Sequence, residues 1–389
     1  MTKRLLLIGL IVAVVSMVFA GLGIAAENVK IGIVCELSGP GASVGRYWER
    51  GVLMGVEDVN EAGGILGRKV ETFSLDTKTE APVSVAAMKK AIERDPFVVM
   101  GTVFSSSTVV NMHVLERAGL PQFTGSTAPP ITRKGNLNIF RLNQASDLTM
   151  RKLIKWLTDV LKVEKLAIIY VTTAFGKGGR DALVQLLKET EVEIVADIAT
   201  DIAQADFSGE LARVRRSGAD TLFLYQHEEA NGRILPQIRE LGLGKMMRIV
   251  GHDTLLTEDT IKLAGDAANG CEGHHVLSPV APALKPLADR YEDKYADIPD
   301  HNFFQGYMGI NIIKAVVEEI GAFDQQKFRD YLHNRTLCVK NHPGILMDVY
   351  YDHKGDIDRE SFLVRIEDRK HVITGILPPL NPEKFELCK

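Results

Sequence analysis

The sequence predicts an α/β protein built as two doubly wound parallel-sheet lobes. Three observations carry that expectation. From Glu27 onward strand, turn and amphipathic helix repeat in order; the strand at Phe97 to Gly101 opens on an unbroken apolar run, Phe97 to Met100, as parallel strands covered on both faces do; and a second βαβ series of similar length begins near Asp147 without a long linker.

Val29 to Cys35 reads as the first strand. Arg46 to Ala62 then places Trp48, Val52, Val56 and Val59 at steps of four, four and three, which is one apolar helical face, and Gly63-Gly64 stops it. Val70 to Asp76 is the next strand, Val83 to Arg94 a helix packing Val85, Met88 and Ile92, and Phe97 to Gly101 the third strand. Beyond Gly119-Leu120-Pro121 the chain passes Gln122-Phe123 and runs to Thr132 with little period of either kind. The second series reads helix Asp147 to Leu161, strand Lys165 to Val171, helix Gly176 to Lys188 and strand Val192 to Ala199. It continues with helix Gly209 to Ser217, strand Thr221 to Tyr225, helix Glu228 to Leu241 and strand Met247 to Val250. In such sheets ligands bind beyond the carboxyl ends of the strands, so the loops after strands are the places to seek function.

Composition narrows the classes. The 389 residues carry 46 basic and 50 acidic side chains, a formal charge of −4, and offer no basic field for a phosphate backbone, so no nucleic-acid partner is expected. Residues 1–26 show two early positive charges, an apolar run and a small-residue end at Ile24-Ala25-Ala26, the order of a cleaved secretory signal. An exported protein follows. Cys35, Cys271, Cys338 and Cys388 lack the short spacing of a zinc or redox site; in an oxidising compartment three complete pairings are open, as are partial pairing and none. His274-His275 likewise lacks the carboxylates and spacing of a metal site, so neither metal nor other cofactor is expected.

Gly41-Ala42-Ser43-Val44-Gly45 matches the nucleophile-elbow pattern, yet only one strand precedes it where a hydrolase would place several. Glycines that let backbone N–H groups approach an anion explain the loop better. Gly101 to Thr108 contains four consecutive hydroxyls, one of which, Ser106 or Ser107, is expected to cap the following helix, leaving the others for a ligand. Gly125 to Pro130 repeats that chemistry on a neighbouring strand end. In the second series Phe175 offers an apolar wall, His227 a polar ring and Asp253 a carboxylate able to pair with an ammonium.

Taken together these residues resemble the type I periplasmic substrate-binding proteins of branched-chain amino acid ABC transporters. The resemblance spans Glu27 to about Leu377 and rests on Leu37-Ser38-Gly39-Pro40 with Gly45, Val59 to Arg68, Gly101 to Thr108, Ala128-Pro129, Phe140-Arg141 and Ala205 to Ser208. It implies two lobes joined by a three-segment hinge, lobe 1 at 27–145 plus 277–362 and lobe 2 at 146–276 plus 363–389. It implies no catalysis, and a monomeric periplasmic receptor that delivers a small amino acid or related carboxylate to a membrane permease. Ser105 would be its first ligand serine, Ser126 and Thr127 would grip the α-carboxylate and ammonium, and Asp253 would bind the ammonium where the family carries the longer Glu. An aromatic of the first loop is Val44 here, and two tyrosines are Phe175 and His227, changes that also suit an aromatic or aliphatic acid. A secreted hydrolase using Ser43, with His227 or His252 as base and Asp253 as orienter, is disfavoured because both histidines precede the acid in the chain. A ligand-sensing module would share the fold and differ only in partner.

Overall fold

The computed structural model describes residues 27–389; the expected signal segment, residues 1–26, lies outside the described residues. The first half alternates β1 (Val29–Cys35), α1 (Ala42–Glu61), β2 (Val70–Asp76), α2 (Ala81–Ile92), β3 (Val98–Met100), α3 (Ser105–Ala118), β4 (Gln122–Thr124), the single turn α4 (Pro130–Arg133) and β5 (Ile139–Arg141). These strands form a parallel sheet of order β2-β1-β3-β4-β5. The second half runs α5 (Ser146–Lys155), β6 (Lys165–Val171), α6 (Ala174–Leu187), β7 (Glu193–Thr200), α7 (Ser208–Ser217), β8 (Thr221–Tyr225), α8 (Glu228–Glu240), β9 (Arg248–Gly251), α9 (Glu258–Ala264) and β10 (Glu272–His275).

The chain then returns to the first lobe with α10 (Lys285–Tyr295), α11 (His301–Ile320) and α12 (Gln325–Leu332). A small antiparallel sheet follows, of β11 (Arg335–Leu337), β12 (Val349–Tyr351) and β13 (Ile357–Asp358). Two last strands, β14 (Ser361–Glu367) and β15 (Lys370–Leu377), complete the second sheet, whose order is β15-β14-β10-β9-β8-β6-β7. β14 and β15 are antiparallel additions to a parallel core, so the second sheet is mixed. The chain therefore crosses between sheets after β5, after β10 and after β13. This is the two-lobed α/β fold the sequence predicts.

Local departures have local causes. The helix expected to end at Leu161 is α-helical only to Lys155 and widens into a π turn at Trp156–Val160. Neither Ser106 nor Ser107 caps α3. The helix begins at Ser105, so the cap position falls on Phe104, which has no side-chain cap bond; the buried Glu36 carboxylate beyond β1 accepts from Val103 N and Phe104 N, just ahead of the helix, at 3.2 and 3.3 Å. Cys338 and Cys388 are disulfide-bonded, fastening the C-terminal turn to the chain beyond β11; Cys35 and Cys271 are free and buried.

The first lobe's core is built on a close crossing of α1 and α11. Backbones touch there because Gly51 faces Phe303 and Gly306 faces Trp48, where a methyl group on either glycine would strike the opposing carbonyl oxygen. Gly51→Ala should therefore lose about 1 to 3 kcal/mol of stability by overpacking. Gly209→Ala, in open space on α7, should gain up to about 1 kcal/mol. Urea unfolding of both variants checks the contrast.

Candidate functional site

In each sheet the strand order reverses direction beside its first strand, between β1 and β3 in one lobe and between β6 and β8 in the other. Such switch points leave a crevice at the carboxyl ends of the strands. The two crevices face one another, and the cavity between them is narrow, with a volume of about 40 Å³. The first lobe contributes Val44, Val103, Phe104, Ser105, Gly125 and Thr127, with His301 and Asn302 from the start of α11. The second contributes Phe175, His227, Glu228, His252 and Thr254; Asn143 enters from the first crossover.

Of the six site residues expected from sequence, Ser105, Thr127, Phe175 and His227 line this cavity. Ser105 Oγ accepts from Thr127 N and Ala128 N, both at 3.2 Å, so its own hydrogen remains free to donate. Thr127 Oγ1 is buried with no hydrogen-bond partner. Ser126 instead turns away into a lattice of hydroxyls, 2.7 Å from Thr108 Oγ1 and donating to Val103 O at 2.8 Å. Asp253 also stands outside the cavity wall: Oδ1 accepts from Val276 N at 3.0 Å and lies 2.9 Å from His274 Nδ1, while Oδ2 lies 3.4 Å from Asn143 Nδ2. Its carboxylate belongs to the crossovers.

His227 is sandwiched across the cleft, 4.4 Å from the Phe104 ring at 5° and 4.9 Å from Phe175 at 29°. Burial lowers its pKa to about 4, so the ring is neutral. The same cause lowers His252 and His301 to about 4. Glu228 was not expected from sequence, because a carboxylate at a helix start is an ordinary helix-dipole partner. It is buried, Oε2 has no partner, and burial, with Glu229 and Asp300 adding like charge, pushes its pKa well above the usual carboxylate range. Among the described residues, no Lys or Arg lines the cavity.

The lobes also meet along a rim. Ser43 and Tyr47 both donate to Asp259, Lys262 pairs with Asp297, and Ala174 N donates to Ser106 Oγ at 3.3 Å. Ser43 thus engages a carboxylate across the cleft, and no histidine among the described residues is paired with it.

Behind the wall, burial raises the pKa of Glu36 from 4.5 to about 7. The folded protein holds this proton more tightly than the unfolded chain, so Glu36's contribution is intact below pH 4.5 and is lost as pH rises through 7. Glu36→Gln does not titrate. Between pH 4.5 and 8 the stability of wild type should fall relative to Glu36→Gln by about 3 kcal/mol, measured by denaturant unfolding of both proteins across that range.

Known proteins show the same framework. Residues 28–370 match the family model described as periplasmic binding protein. An amino acid binding protein of Pseudomonas aeruginosa is 28% identical over 377 residues, covering 95% of this chain and 98% of that protein. A Leu/Ile/Val-binding protein of Escherichia coli K12 is 25% identical over 353 residues, covering 90% and 93%. Among solved structures, a leucine binding protein from Thermotoga maritima superposes with TM-score 0.81 at 19% identity, over 90% of this chain and 99% of that one. A solute binding protein of an ABC transporter from Rhodopseudomonas palustris, in complex with 3,4-dihydroxy benzoic acid, gives 0.82 at 18%, over 92% and 99%.

Proposed function

The chain belongs to the periplasmic binding proteins, receptors rather than catalysts, and from that premise we propose that it is the monomeric extracytoplasmic receptor of an ABC importer, closing on a small amino acid or related carboxylate. One observation carries the carboxylate. Among the described residues, the cavity holds two hydroxyls with uncommitted donors, Ser105 and Thr127, and no cationic side chain. Neutral donors in a dry site hold an anion by charge-assisted hydrogen bonds.

Glu228 favours an amino acid over a simple acid. In this reading its unpartnered carboxyl takes the ligand's ammonium, and the ammonium restores the ionised state that burial disfavours. Asp253, the acid the resemblance assigns to that task, has both oxygens committed at the crossovers. The stacked Phe104, His227 and Phe175 rings favour a second reading, a flat aromatic carboxylate packed against them.

Titration calorimetry with leucine, its deaminated analogue 4-methylpentanoate and benzoate separates the two. Ser105→Ala and Thr127→Ala should each weaken the bound carboxylate by about 1 to 3 kcal/mol; normal affinity in both would remove this placement of the site. For an amino acid, Glu228→Gln should cost about 3 to 5 kcal/mol, and affinity should rise with pH as the carboxyl ionises. For an aromatic acid the same change should be neutral or should tighten binding. Small-angle scattering should show compaction with the saturating ligand, because the wall residues come from both lobes.

A further inference from the structure

β9 and β10 are parallel neighbours in register, Val250 opposite Glu272 and Gly251 opposite Gly273. One step further along, that register sets His252 beside His274, and the turn after β9 brings Asp253 against both. The geometry points to a binding site for one divalent transition-metal ion of the zinc class, held by His252, Asp253 and His274. All three side chains are fully buried, and their three donor atoms lie within 4.8 Å of one another. His274 Nδ1 is 2.9 Å from Asp253 Oδ1, His252 Nε2 is 3.8 Å from Asp253 Oδ2, and the imidazole centroids are 5.8 Å apart.

A second, independent observation singles this cluster out from an ordinary buried ion pair. Neither nitrogen of His252 and neither nitrogen of His274 makes a hydrogen bond. At 2.9 Å from the carboxylate, His274 Nδ1 lacks the alignment for one. Buried polar atoms are satisfied in the great majority of cases, and a set left open calls for a water or an ion. Two imidazoles and one carboxylate are the donor set that suits zinc and its neighbours rather than magnesium or calcium. The carboxylate is already oriented by Val276 N and by Asn143 Nδ2, the outer support such ligands need.

His252 also lines the solute cavity, so the fourth position of a tetrahedral ion opens toward the cleft, where it admits water and gives the ion its way in. β10 leads straight into the second crossover and Asn143 belongs to the first, so an ion here ties both crossovers together at the base of the cleft. The spacing of single residues along the chain conceals this site. His274-His275 looks unaccompanied until strand pairing brings it a histidine and an aspartate from twenty residues upstream.

The mature protein, stripped with a chelator, is titrated with Zn2+ by calorimetry and with Co2+ by visible absorption. One equivalent of Zn2+ should bind, and Co2+ should give the strong visible bands of a low-coordinate nitrogen and oxygen site. His252→Gln and His274→Gln should each weaken Zn2+ at least about tenfold, while His113→Gln, on the exposed face of α3, should not. Zn2+ binding that persists unchanged in the double variant His252→Gln/His274→Gln would overturn the site. Should the variants not fold, a wild-type protein giving no visible Co2+ band would overturn it equally. Solute binding is scored separately, so failure here leaves the receptor reading intact.

Discussion

The cleft depends on one buried guanidinium. Arg141, at the end of β5, is fully buried; it donates to Ser126 O, to Ala128 O at 2.8 Å and to Thr132 Oγ1 at 3.1 Å, and pairs with Asp356 at 2.7 Å. A charge in that position is costly unless every donor is used, and here the carbonyls of the 125–128 loop supply the partners. Those carbonyls must therefore point inward, which turns the loop's N–H groups toward Ser105. Burial lowers the guanidinium's pKa to about 9, still charged at neutral pH. Asp356, from the turn between β12 and β13, accepts from Thr132 and Arg133 as well, so the small third sheet braces the 125–128 loop.

Around that fixed loop the cavity is electrically spare. Its imidazoles are neutral because burial strips their protons, and among the described residues it contains no lysine or arginine. What it presents instead is hydroxyls and backbone donors on one lobe and aromatic surface with a single carboxyl group on the other. Glu36 fixes the backbone of Val103 and Phe104 from behind, as Arg141 fixes the next loop. Both are buried ionisable groups that shape backbone at strand ends, and both leave the groups facing the cavity unengaged.

Sequence periodicity located the strands well where one pattern dominated. Lys165–Val171 and Thr221–Tyr225 occupy the predicted residues because unbroken apolar runs admit few alternatives. Neither Ser106 nor Ser107 caps the helix, because it begins one residue earlier, at Ser105, after a backbone that Glu36, about seventy positions earlier, holds at Val103 and Phe104. Ser126 and Asp253 were legible as polar residues at strand ends. Their direction was not.

What the sequence by itself determined is the repeat of strands and helices, the export signal as an expectation, and the set of loops that meet at the carboxyl ends of two sheets. These follow from local steric preference and from apolar periodicity, which short windows of chain contain. Tertiary structure alone decided which hydroxyls face the cavity, that Glu228 rather than Asp253 lines it, that Cys338 pairs with Cys388, and that His252 meets His274. Each of those is a contact between residues brought together by strand register and tertiary packing, and burial then sets the charge state of the groups involved. No single stretch of chain carries that information, because the dielectric and the partners a side chain meets are properties of the assembled fold.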